Sequence, residues 1–255
     1  MYFESHAHYD DRAFDKDRHE LLEKLQESGI DIIINAAADL SSSKEGIKLA
    51  KQYDFFYATV GVHPHAVEKL EDDHIHILRK YILEPKVVAI GEIGLDYYYE
   101  HSPREVQKKW FEKQITLAKE NKLPIIVHSR DAAKDTYDIL QQHASTLYGG
   151  VIHCYSGSLE MAKEYVDMGF YLGVGGVITF KNAKKLVEVV REIPLTSLLI
   201  ETDAPYLTPI PHRGKRNDST MLPYIAQAIA DIKQISLEEV VEQTRENGRN
   251  LFLPK

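Results

Sequence analysis

The chain has a single cysteine, Cys154, among its 255 residues. One thiol cannot close an internal disulfide, which fits a reducing compartment. No uncharged apolar run reaches about 18 residues, so no membrane-spanning helix is expected. No basic segment followed by an apolar stretch opens the chain, so no secretory signal is read and a cytoplasmic location is expected. Basic excess is missing as well: 31 Lys and Arg stand against 39 Asp and Glu, a formal net charge of −8. An acidic surface repels a polyanion. Carboxylates that hold cations lose part of that charge, however, so the total does not exclude a nucleic-acid substrate met through a short contact. No linker, low-complexity tract or strict repeat divides the chain, and a single domain over residues 1–255 is expected, with a monomer the plausible state.

What the sequence does have is a hydrophobic share of 44%, ordinary for a globular protein, laid out in a regular alternation. Apolar runs predict strands at 2–5, 31–36, 55–62, 87–90, 124–127, 150–152, 170–174 and 198–200. Helical spacing predicts helices at 17–28, 41–51, 72–82, 102–121, 131–143, 159–168, 182–192, 220–233 and 236–247. Eight strands alternating with helices in about 250 residues is the arithmetic of an α/β fold, the (β/α)8 TIM barrel; a doubly wound open sheet is the runner-up.

Six residues then gain meaning from position. His6 and His8 end the first predicted strand, where a period of two puts both on one side. Glu92 follows the fourth strand, His128 ends the fifth, His153 the sixth, and Asp203 follows the eighth. Strand ends of one polarity converge on one mouth of a barrel. Imidazole and carboxylate donors gathered there suit divalent-metal chemistry, in which water becomes a nucleophile. Most of the twelve histidines must be ordinary. His74 and His76 share the His-x-His spacing but fall in a predicted helix, where i and i+2 do not face each other. With His19, His101 and His143 they read as solvated side chains.

Several further residues have two readings each. Glu92 is either a solvated loop carboxylate or a ligand whose two oxygens bridge two ions. Glu201 shares a strand face with Asp203 and either serves a third metal ion or orients water there, or makes a structural hydrogen bond. His63 ends the third strand and suits proton donation or phosphate contact, whereas His65 reads as a loop histidine. Arg213, Lys215 and Arg216 surround Gly214 and suit a phosphate clamp, with Arg130 a weaker candidate. The run Tyr97-Tyr98-Tyr99 reads as packing slightly more readily than as base stacking.

The motifs His6-Ala7-His8, Gly61-Val62-His63-Pro64, Gly91-Glu92-Ile93-Gly94-Leu95-Asp96-Tyr97, His128-Ser129-Arg130, His153-Cys154-Tyr155-Ser156-Gly157, Glu201-Thr202-Asp203-Ala204-Pro205 and Arg213-Gly214-Lys215-Arg216-Asn217 occur in order along the chain. Together they closely resemble the TatD-type metal-dependent deoxyribonucleases of the amidohydrolase superfamily. The resemblance implies a TIM barrel with two divalent ions, Mg2+ in the family's usual description, whereas histidine-rich ligation leans by softness toward Zn2+ or Mn2+. His6, His8 and Asp203 would surround one ion, His128 and His153 the second, and Glu92 would lie between them. It implies a cytoplasmic phosphodiesterase that acts on DNA, expected as a 3′–5′ exonuclease. For the chemistry the expectation is that Glu92 lies between the ions, Asp203 takes the proton of the attacking water, and His63 or a metal-bound water protonates the leaving sugar oxygen. Two positions depart from the family pattern: Glu4 stands where Asp is usual, and Tyr155 where Phe is frequent.

The rival reading is an amidohydrolase acting on another ester or amide, such as an aminoacyl-tRNA or a cyclic amide. Many such barrels bridge their metals with a carboxylated lysine at the end of strand four. Here that place holds Glu92, and Lys86 lies before the strand.

Overall fold

The structure is a computed structural model and describes residues 1–253; the expected domain end at residue 255 lies outside them. Its strands are β1 (Tyr2–Ala7), β2 (Ile30–Asn35), β3 (Phe56–Val60), β4 (Val87–Asp96), β5 (Ile125–Arg130), β6 (Gly150–Ile152), β7 (Phe170–Val174) and β8 (Leu198–Ile200). The α-helices among the described residues are α1 (Arg18–Glu27), α2 (Leu40–Gln52), α3 (His74–Ile82), α4 (Arg104–Asn121), α5 (Ala133–His143), α6 (Leu159–Asp167), α7 (Lys184–Glu192), α8 (Leu222–Lys233) and α9 (Leu237–Phe252). The eight strands form one sheet in chain order, with helices between them, which is the (β/α)8 fold of a TIM barrel. No helix among the described residues is long and apolar enough to cross a membrane.

Two compact units make up the chain. The first comprises Met1–Asn35, Cys154–Asp167 and Tyr171–Lys255. Within it β1 pairs in parallel with β2, Glu4 opposite Ile33 and Ala7 opposite Asn35. On its other side β1 meets the end of β8. The Ser5 hydroxyl donates to the Ile200 carbonyl at 2.9 Å, and the His8 N–H donates to the Ala204 carbonyl at 2.8 Å. Phe3 stacks on Phe252 of α9 with ring centroids 6.1 Å apart. Gly248 permits that approach, since a Cβ there would come within 2.6 Å of the Phe3 ring. Helix α9 starts at a Ser236-x-x-Glu239 cap, in which the Ser236 side chain accepts the Glu239 N–H.

Asp31 of β2 anchors α9 electrostatically, receiving Arg245 Nε at 2.6 Å and an Arg249 guanidinium N–H at 2.8 Å. Burial pushes the Asp31 carboxyl up, but the Arg249 and Arg245 guanidiniums outweigh it and hold the group below its ordinary range. A carboxyl depressed in the folded state contributes stability above its unfolded pKa and loses it as pH falls through the lower, folded value. We therefore expect Asp31→Asn to cost about 1 kcal/mol at pH 7, a figure discounted for solvent screening of the arginines. The difference should close as pH drops below 3.8, the group's ordinary value. Urea titrations of both proteins at pH 7 and pH 3 check this; a pH-independent gap would remove the ion pair as its cause.

The second unit comprises Ala36–His153 and Met168–Phe170. It holds β3 to β6 in parallel, with Ile90 opposite Ile125, Gly94 opposite His128 and Val127 opposite Ile152. Strand β4 runs six residues past its predicted end at Ile90, so Glu92 lies inside the strand. Glycines here let neighbouring strands approach closely. A Cβ on Gly61 would lie 3.0 Å from the Gly91 carbonyl, and one on Gly94 would lie 2.0 Å from the His128 carbonyl oxygen. Helix α4 packs Trp110, Phe111, Ile115 and Leu117 inward. Two buried glutamines on it, seven residues and so about two turns apart, clamp the strand ends. Gln114 accepts the Val62 N–H at 2.8 Å and donates to the Val62 carbonyl at 3.1 Å. Gln107 does the same for Asp96, at 2.8 and 3.0 Å. Both backbones are thereby fixed beside the chemistry-bearing residues His63 and Asp96.

Candidate metal centre

The first unit brings His6, His8 and Asp203 together. His6 lies within β1 rather than at its end, and His8 just beyond it. The His6 and His8 Nε2 atoms are 3.1 Å apart. Asp203 Oδ1 lies 3.4 Å from His8 Nε2 and 3.8 Å from His6 Nε2. Donors bound at about 2.1 Å to one ion, at the angles of octahedral or tetrahedral coordination, are themselves about 3.0–3.4 Å apart. The His6–His8 and His8–Asp203 separations fall in that range, and the His6–Asp203 separation of 3.8 Å exceeds it. Asp203 adopts φ +57°, in the left-handed region that aspartate tolerates better than most residues. Its N–H donates to the His6 carbonyl at 3.0 Å, so the same turn is tied directly to a histidine of the group.

Glu4 braces this arrangement from below. It is fully buried and accepts the Thr202 N–H at 2.8 Å, the Thr202 hydroxyl at 2.7 Å and the Ser219 hydroxyl at 2.8 Å. Burial pushes its carboxyl up to about 8 against the opposing hydrogen bonds from Thr202, Ser219 and His6. The extra methylene relative to Asp is used here, because one carboxylate reaches both residue 202 and residue 219.

The second unit gathers His63, Glu92 and His128. From Glu92 Oε1, His128 Nδ1 lies at 2.8 Å, His63 Nε2 at 3.7 Å and His153 Nε2 at 3.8 Å. The first three residues again present one donor atom each to a common point. His63 thus joins the donor set, whereas the sequence pointed to a proton donor or a phosphate contact. The other ring nitrogen of His128, Nε2, faces Asp96 Oδ2 at 3.0 Å. A carboxylate behind a ligating imidazole fixes its orientation and raises its basicity. Burial lowers the His128 pKa, but Asp96 and Glu92 outweigh it and raise the group overall. Asp96 shifts the opposite way: burial pushes it up, yet His128, the Tyr99 N–H and His65 hold it well below the carboxylate range. Asp96 was not singled out in the sequence. Its partners His65 and His128 lie 31 and 32 residues away, so only the fold reveals it.

The remaining candidates are placed as follows. Glu201 is buried and accepts the Cys154 N–H at 2.6 Å. It is wedged against Gly173, where a Cβ would come within 2.3 Å of Oε2. The cations expected to form one phosphate clamp have separate engagements. Arg216 makes a two-pronged ion pair with Asp17 at 2.7 and 2.6 Å and donates to the Ala13 carbonyl. The Arg213 guanidinium lies 3.9 Å from the Phe180 ring centre. Lys215 is exposed. Arg130 is exposed too, with its guanidinium over Tyr98 and Tyr99. No signal within the cluster itself could have shown the Arg216 engagement, because Asp17 is 199 residues distant.

Comparison with known proteins sets this geometry in context. A family model described as TatD related DNase matches residues 3–253. The chain is 44% identical over 253 residues to the uncharacterized metal-dependent hydrolase YabD of Bacillus subtilis (strain 168), with 99% of each chain covered. It is 34% identical over 245 residues to a protein of Rahnella sp. (strain Y9602) named 3'-5' ssDNA/RNA exonuclease TatD, covering 94% of this chain and 93% of that one. Among solved structures, the TatD homolog YJJV from Escherichia coli K12 superposes with a TM-score of 0.93 at 32% identity, over 98% of this chain and 97% of that one.

Proposed function

Because the chain belongs to the TatD related DNase family, we propose that it hydrolyses phosphodiester bonds of single-stranded nucleic acid as a metal-dependent 3′–5′ exonuclease using two divalent cations. The observation that carries this reading is the pair of donor sets, His6 with His8 and Asp203, and His63 with Glu92 and His128. The relative named as a 3'-5' ssDNA/RNA exonuclease supports the substrate class. A bound divalent cation polarises a phosphoryl oxygen and acidifies water. In our reading the side chains do the rest. His6 and His8 would hold one cation, and Glu92 with His63 and with His128, which Asp96 orients, would hold another. Asp203 Oδ1 accepts the proton of the attacking water. Imidazole-rich donor sets favour zinc or manganese over magnesium.

The test is a substrate screen on chelated protein resupplied with Mg2+, Mn2+ or Zn2+ in turn. A 5′-labelled single-stranded oligonucleotide should shorten stepwise only after a cation is restored. Hydrolysis of dihydroorotate or an aminoacyl-tRNA ester alone, with the oligonucleotide intact under every cation, would overturn the assignment.

A further inference from the structure

The run Tyr97-Tyr98-Tyr99 divides in the structure. Tyr97 is packed: its hydroxyl donates to Asp135 at 2.7 Å and Arg104 covers its ring at 4.4 Å. Tyr98 and Tyr99 are not, remaining 59% and 50% exposed. Burial therefore does not account for two large aromatic side chains at this turn. Their rings stand at 89° with centroids 4.8 Å apart. One guanidinium, that of Arg130, braces both, at 4.2 Å from Tyr98 and 4.7 Å from Tyr99. His101 lies parallel to Tyr99, 6° between planes and 5.6 Å between centroids.

This exposed set is tied to the second donor group by one carboxylate. Asp96 Oδ1 accepts the backbone N–H groups of Tyr98 at 3.1 Å and Tyr99 at 2.9 Å. Its Oδ2 faces His65 at 2.8 Å and His128 at 3.0 Å. The turn that carries the rings and the ring that presents Nδ1 to Glu92 are therefore held by the two oxygens of a single side chain. Ring contacts also run from His63 to His65 at 4.3 Å and from His65 to Tyr99 at 5.5 Å.

We infer that Tyr98 and Tyr99, braced by Arg130, form a stacking platform for unpaired nucleobases of the strand whose phosphodiester reaches the His63–Glu92–His128 group. The inference rests on the nuclease reading and narrows it. Aromatic rings and guanidinium planes both accept the face of any base, so the platform is indifferent to sequence. In a duplex the base faces are already stacked on their neighbours. The platform therefore selects single strands, in DNA or RNA alike, without needing a broad basic surface, which this acidic chain does not advertise.

The experiment compares wild type with the double variant Tyr98→Ala/Tyr99→Ala and the conservative Tyr98→Phe/Tyr99→Phe. Each is assayed on a labelled single-stranded oligonucleotide and on one of equal length carrying abasic sites near the cleaved end. Stacking is worth about 1–3 kcal/mol per base, so wild type should favour the base-bearing strand about tenfold or more in kcat/KM. The alanine variant should lose that preference, chiefly through a raised KM, and the phenylalanine variant should keep it. Equal preference in wild type and the alanine variant overturns the platform. Should no protein cleave any oligonucleotide, the nuclease reading fails, and fluorescence anisotropy of the same labelled strands then decides the platform separately. It stands only if wild type binds the base-bearing strand about tenfold more tightly than the alanine variant does, and falls if their affinities match.

Discussion

Asp203→Asn should lower metal-dependent turnover by at least ~10²-fold while leaving the fold intact. The substitution isolates charge from shape. Asparagine is nearly isosteric with aspartate and also tolerates the left-handed backbone at φ +57°. The main-chain bonds of the turn, from the Asp203 N–H to His6 and from the Tyr206 N–H to the Asp203 carbonyl, do not depend on the side chain. What changes is the donor 3.4 Å from His8 Nε2. A neutral amide is a poorer cation ligand and cannot accept a proton from water at neutral pH. Steady-state kinetics at saturating cation, with thermal unfolding as the fold control, make the comparison. Near-normal turnover in the variant would remove Asp203 from the chemistry.

Gly94→Ala should destabilise the protein on the order of 3–5 kcal/mol, the range reserved for substitutions with a named steric mechanism. An added Cβ would lie 2.0 Å from the His128 carbonyl oxygen and 3.1 Å from its nitrogen. That obstacle is main chain in the β4–β5 pairing, where Gly94 faces His128, so it cannot swing aside. The backbone at φ +141° adds strain for any side chain. Gly169→Ala separates the two causes, because Gly169 also has positive φ, +86°, but nothing within 4 Å of the added methyl. That control should cost only about 1 kcal/mol. For a chain of this size the Gly94 variant should melt roughly 10 °C lower. Equal midpoints for the two variants would show that the close approach to His128 is not tight.

The glycines of β4 also show where the sequence speaks plainly and where it does not. The alternation of apolar runs with amphipathic segments carries the strand and helix order, because each burial period is local. It misplaced the end of β4. Only the neighbouring β5 explains glycine inside the strand: an added Cβ would come within 2.6 Å of the Ile126 side chain at Gly91 and 2.0 Å of the His128 carbonyl oxygen at Gly94. The sequence pattern put His6, His8 and Asp203, and Glu92 and His128, near strand ends, and the structure gathers them in two groups. The distribution of duties around them was not readable in the sequence. Asp96 acquires its role from His65 and His128, and Arg216 is taken up by Asp17. Both depend on contacts formed across long stretches of chain, which composition and spacing do not encode. The tyrosine run could not be divided from sequence, for a different reason. Three identical residues in sequence have one burial expectation, yet Tyr97 is packed by Arg104 and Asp135 while its two successors face solvent.

The most direct check is cation binding by calorimetry. Mn2+ titrated into chelated protein should fill two sites per chain. His8→Ala should abolish one of them and spare the other, and His63→Ala should do the reverse. Absence of binding, or a stoichiometry indifferent to both substitutions, would contradict the assignment of a cation to each donor set.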